Sequence, residues 1–324
     1  MSAKLGQTLG ALALLCGVFL AAGPEPAVAT EPVDHAAEVD AALALWAAGG
    51  EGEDSALQER ANRALSRGVD AVLLSEALKR ARAAGWSAAE AGRMVDRARG
   101  LEEQGLPAEP VLDRMLQGMA KGVPYSRIEA VADRLGGNLR RSAHLLDAAL
   151  PAAPDGEPVR REMIRHGAYA LGAGADEAVM AAALQLAQEA DDPLRAARSP
   201  VLALGSLCAA GLPPRRSLDV VGTAWREGYQ DRDLERLSQA LSAFGGPDSP
   251  PPADVVDGVL HRMRAGTPRG DLFRHLDEML GAHGHHPPGA GPGEDPGHMR
   301  GPGGPPEDPG HQGPHGHGPH HNGG

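Results

Sequence analysis

The chain has 324 residues, 42% hydrophobic, 23% charged and only 3% aromatic, with a formal net charge of −12. That is enough chain for one sizeable domain. Its alanine- and leucine-rich, aromatic-poor composition disfavours a β-sandwich or barrel, and its acidic balance lacks the basic stripe that nucleic-acid binding wants.

Residues 1–29 read as an export signal. Lys4 supplies a positive start, Leu9 to Ala22 is an apolar run short for a membrane span, and Ala27-Val28-Ala29 offers a small-residue cleavage site before Thr30. A lipoprotein reading through Cys16 fails on the bulky Leu15 that precedes it. The expected address is periplasmic or secreted, in a bacterial envelope, with no stable membrane insertion after cleavage. Loss of Cys16 leaves Cys208 alone, so no intramolecular disulfide is available. Cys208 lies in the apolar stretch Val201 to Ala210, which predicts a buried structural thiol.

Residues 30–67 form an N-terminal segment of helices and linker. A helix is predicted over Ala36 to Ala48, followed by an acidic break at Gly49 to Asp54. Ser55 with Gln58 then has the spacing of an N-cap pair, opening a helix to Arg67.

From residue 68 to 281 the pattern is all-α, written as helical hairpins. In Gly105-Leu106-Pro107 and Gly122-Val123-Pro124 a glycine suited to the left-handed C′ position is followed by an apolar residue and then a proline. Gly-apolar-Pro is thus a stop and a start within three residues. Asp70 and Ser87 (with Glu90) take the proline slot as N-caps, and Ser126 with Glu129 also has capping-box spacing. Val111, Leu112, Met115, Leu116 and Met119 make a one-sided helical stripe, as do Ile128, Val131, Ala132 and Leu135.

The punctuation recurs. Gly68 to Gly105, Gly85 to Gly122 and Gly174 to Gly211 are each 37 residues apart, and Gly211 to Ser249 is 38. Gly137 to Leu171 fits a looser pair, with helices near Leu139–Ala149 and Val159–Leu171. About six hairpins of about 37 residues are expected, stacked as an α-solenoid, because such pairs cannot bury their stripes alone. The alternative is a helical bundle with coincident spacings. The Trp-Leu-Gly-Tyr pattern of tetratricopeptide units is absent.

Residues 282–324 are nearly all Gly, Pro and His, with no apolar stripe to offset ordering entropy, and read as a disordered His-rich tail. Nine of the fourteen histidines lie there. The dense clusters are His283, His285 and His286, and His315, His317, His320 and His321. Neutral imidazoles this close chelate Zn²⁺, Ni²⁺ or Cu²⁺, reversibly and with modest selectivity because no geometry is preformed. No cofactor is required by any motif. His275 reads as a half-buried packing residue, and His35, His144, His166 and His261 are scattered.

No nucleophile elbow, phosphate loop, dinucleotide fingerprint or Cys-x-x-Cys is present. Trp86 and Tyr229 occupy the post-glycine slot, so packing claims them ahead of any sugar platform. The expectation is an exported, non-enzymatic repeat protein that binds a protein or peptide partner and carries a metal-binding tail. Its rivals are a pure envelope scaffold with an inert tail and, further off, an α/α carbohydrate-active enzyme.

Overall fold

The computed structural model describes residues 35–47, 53–150, 156–245 and 250–282; residues 1–29, read above as an export signal, and the expected tail from residue 283 onward lie outside these. The described residues are all-helical, with no strand among them. The helices are α1 (His35–Ala47), α2 (Glu53–Ser66), α3 (Ala71–Ala83), α4 (Ala88–Glu102), α5 (Glu109–Ala120), α6 (Tyr125–Ala149) and α7 (Glu157–Gly172). They continue as α8 (Glu177–Gln185), α9 (Pro193–Ala196), α10 (Arg198–Ala209), α11 (Pro214–Arg226), α12 (Asp231–Gly245), α13 (Ala253–Arg264) and α14 (Arg269–Ala282).

The joints follow the sequence punctuation. Gly105 and Gly122 sit at φ 67° and 65°, where an L side chain is crowded against its own backbone. Around them the last turn closes in the Schellman pattern. Gly105 N–H donates to Glu102 C=O at 2.9 Å and Leu106 N–H to Leu101 C=O at 3.0 Å; Gly122 and Val123 repeat this with Met119 and Gly118. The same paired bonds close the helices ending near Gly68, Gly85, Gly174, Gly211, Gly228 and Gly266. The residue after the glycine packs inward as expected: Leu106, Trp86, Leu212 and Tyr229 are buried and Val123 is half-buried.

Caps were legible in part. Asp70 accepts from Leu73 N–H, and Ser87 with Glu90 forms a full capping box. Two helices open ahead of the expected cap residue. The helix opens at Glu53, ahead of Ser55. Ser126 lies inside α6, whose N-cap position is Pro124; Glu129 bonds to Tyr125 instead of closing a capping box. Proline already sets the entry angle there, so α6 begins two residues earlier than a serine cap at Ser126 would have it.

Packing runs between next neighbours. α1 packs on α3, α3 on α5 and α5 on α6; α6 packs on α8, α8 on α11 and α11 on α13. A second succession joins α2 to α4, α6 to α7, α7 to α10, α10 to α12 and α12 to α14. The helix α6 belongs to both. The expected break at Gly137 is absent, and α6 runs unbroken through it for 25 residues. Between Gly174 and Gly211 the expected helix pair is supplemented by the four-residue α9. The core is a continuous set of aliphatic side chains, with Leu78, Met94, Leu112, Met115, Leu139 and Ile164 fully buried. Close helix approach uses small residues: a Cβ on Gly205 would lie 2.8 Å from the Tyr169 ring and 3.2 Å from the Ala170 backbone, so α10 can reach α7 only with glycine there.

Candidate functional site

Opposite charges recur at a fixed separation. Arg60 of α2 meets Asp96 of α4 at 2.6 Å, and Arg67 meets Glu103, each just past the end of the same two helices, at 3.5 Å. Arg93 meets Glu129 and Arg97 meets Asp133, from α4 to α6, at 3.4 and 2.6 Å. Arg141 reaches Glu177, Arg198 reaches Glu162 and Arg269 reaches Asp233, at 3.9, 3.0 and 3.0 Å. Each of these pairs is 36 residues apart in the chain. They lie at the surface, where each is worth a few tenths of a kcal/mol to about 1 kcal/mol. Their value is registration: each fixes one helix against its neighbour.

The densest part of this stripe is built around Tyr125. Its ring stands edge-on to Trp86, with centroids 4.8 Å apart. The Arg93 guanidinium lies 5.0 Å from the Tyr125 ring centroid, and its Nε donates to the Tyr125 hydroxyl at 3.0 Å. The hydroxyl in turn donates to Glu129 Oε1 at 2.7 Å. That hydrogen bond, aided by Arg97 and Arg93, holds the Glu129 carboxyl below its ordinary range. Burial, then the bond to Glu129, pushes the Tyr125 phenol up. Arg93 is pushed up, chiefly by its hydrogen bond to Tyr125.

A related arrangement recurs near the other end. Tyr229 and Phe273 pack with centroids 6.2 Å apart; Arg236 covers Phe273 at 4.5 Å and Arg269 covers Tyr229 at 5.2 Å. Arg93 follows Trp86 by seven residues, and Arg236 follows Tyr229 by the same interval. In each case the arginine stacks on an aromatic ring of the helix two further along the chain, α4 on α6 and α12 on α14. The sequence held this signal as a charge spacing and an aromatic-to-arginine interval, both hidden behind the glycine pattern.

A second set of titratable groups is held by close neighbours. Arg161 of α7 bonds Glu102 at 2.9 Å and Glu109 at 3.3 Å, tying α7 to α4 and α5. The Glu102 side chain is only 6% exposed and also accepts the Ala108 N–H, so its charge is fully matched. The Asp113 carboxyl is pushed up, by burial and then by Glu109. Burial holds His166 below its ordinary value despite a 3.2 Å contact with Glu162. Cys208 is buried, and burial raises its thiol, as expected of a structural cysteine. His275 is half-buried, also as expected.

His283, His285, His286, His315, His317, His320 and His321 lie outside the described residues. Among the described residues no group of three or more His, Cys, Asp or Glu side chains is arranged to hold a metal ion. None of their helices is long and apolar enough to cross a membrane.

These features define an all-helical protein with glycine-terminated joints and helices registered by arginine–carboxylate and arginine–aromatic contacts. No family model, curated protein or solved structure matches the chain.

Proposed function

We propose that the body is a helical-repeat scaffold that binds a protein or peptide, without catalysis of its own, and that it works after export to the periplasm or beyond. The observation that carries the reading is the agreement of two independent periods. Glycine joints repeat at 37 or 38 residues on either side of α6 (Gly68 to Gly105, Gly85 to Gly122, Gly174 to Gly211, Gly228 to Gly266), and inter-helix ion pairs bridge 36. Stacked hairpins explain both, because neighbouring equivalent helices are one repeat apart. The non-enzymatic reading is supported by the way Arg161 neutralises the buried Glu102. The export reading rests on residues 1–29.

The His-rich tail is proposed to bind a transition metal, for sequestration or sensing. Full-length chain and a version ending at Gly281 are titrated with Zn²⁺ and Ni²⁺ by calorimetry. Binding by the full chain that the shorter version lacks is the expected result; equal, negligible binding by both would leave the scaffold with an inert tail. The scaffold reading is tested by cross-linking from exposed positions such as Arg134 and Arg232 in envelope preparations. One recurrent partner from the long and short versions alike is expected; turnover of an envelope glycan by the purified chain would replace this reading with an enzymatic one.

A further inference from the structure

We propose that α6 is a conformational joint that opens at Gly136–Gly137, dividing into two helices of repeat length. Its 25 residues are about twice the 12 of α5, α10 and α13. Its two halves also have different neighbours. Tyr125, Glu129 and Asp133 face α4, through Arg93 and Arg97. Arg141 instead reaches Glu177 of α8, and Ser142 lies against Gly167 of α7.

The two glycines are not required by packing. A Cβ on Gly118 would meet Ile128 at 2.6 Å and one on Gly205 would meet Tyr169 at 2.8 Å, so close approach explains those positions. At Gly136 the nearest atom is 3.7 Å away, an ordinary contact, and at Gly137 nothing lies within 4 Å. Adjacent glycines in a helix interior weaken it without compensation here. Glycine pairs are also a known cause of sharp helix bends.

The next residue completes the signal. Asn138 is an N-cap type, and its side chain is only loosely held on the donor side, with Nδ2 at 3.5 Å from Ala168 C=O. With α6 opened, Gly137 supplies a left-handed C′ residue, as Gly105 and Gly122 do at their joints. Asn138 Oδ1, which now accepts from Arg141 Nη2 at 2.6 Å, would then cap the freed N–H groups of the second helix. Opening lets the helices before and after the joint reorient as two bodies. The proposal stands on α6 itself and is independent of the partner and metal readings.

The test is native-state hydrogen exchange on the full chain. Amides of residues 137–141, whose helical acceptors lie at 133–137, are expected to exchange at least about tenfold faster than those in either half of α6. Gly136→Ala/Gly137→Ala, which fits without a clash, should slow that segment roughly 30-fold and remove the contrast. Gly258→Ala provides the comparison: it changes a lone mid-helix glycine in open space within α13, and should leave the α6 pattern intact. Even protection along wild-type α6, a contrast that survives the double alanine variant, or its loss in Gly258→Ala would each overturn the joint.

Discussion

At the residue scale, conformation and burial set the expected penalties. Gly122 has φ 65° and its Cβ would touch nothing, so any substitution cost there is backbone strain alone. Gly122→Val should lower stability by about 1–2 kcal/mol, and Gly122→Asn by clearly less, because asparagine tolerates the left-handed region. Chemical denaturation of the two variants measures the difference; equal losses would mean that volume, not φ, matters. His166 sets a pH effect. Burial lowers its folded pKa, so the unfolded chain takes up the proton first as pH falls. Its contribution is whole above the ordinary imidazole value of about 6.5 and is lost as pH drops through the depressed folded value. Glu162, Arg165 and Arg198 are the charged groups acting on this ring. The fall in Tm between pH 7 and pH 5 should therefore be shallower in His166→Gln than in wild type, a differential that subtracts the tail histidines.

At the element scale, helix starts were the least legible feature and helix ends the most. A Schellman end needs one glycine and one apolar residue in sequence, and Gly105-Leu106 and Gly122-Val123 carry both. A start has competing solutions. Ser126 with Glu129 has the right spacing for a capping box, but Pro124 opens α6 and frees Glu129 for the Tyr125 hydroxyl. The α4–α6 contact that results was invisible locally, since Arg93 and Arg97 meet their partners only after two intervening turns of chain are folded. It makes two expectations. Tyr125→Phe removes the hydroxyl shared by Arg93 and Glu129 and should cost about 0.5–1 kcal/mol, with Glu129 titrating closer to an ordinary carboxylate by NMR. A double-mutant cycle on Arg97 and Asp133 should give a coupling of about 0.2–1 kcal/mol that shrinks with salt. Gly205→Ala belongs here too: it drives a methyl toward the Ala170 backbone, and should destabilise the α7–α10 crossing by about 1–3 kcal/mol.

At the scale of the whole molecule, the all-helical class followed from composition and stripe, while the fusion of two expected helices into α6 did not. Gly137 offered the sequence a stop, and contacts made on both sides of α6 override it in the folded chain. The arginine-on-aromatic contacts at Tyr125 and Phe273 were hidden for a related reason: each joins residues more than 30 positions apart in the chain. Stacked hairpins and a single bundle part company in how damage spreads. Leu272→Asp, at a buried site in α14, should open amide exchange in α13 and α14 while α3 to α5 keep their protection. A uniform loss across all helices would favour the bundle. The recurring ion pairs reach only 36 residues along the chain. Helices find their partners close along the chain, so the search each contact demands does not lengthen as the polypeptide grows. A topology dominated by such contacts should refold faster than β-rich proteins of this size, which stopped-flow refolding measures.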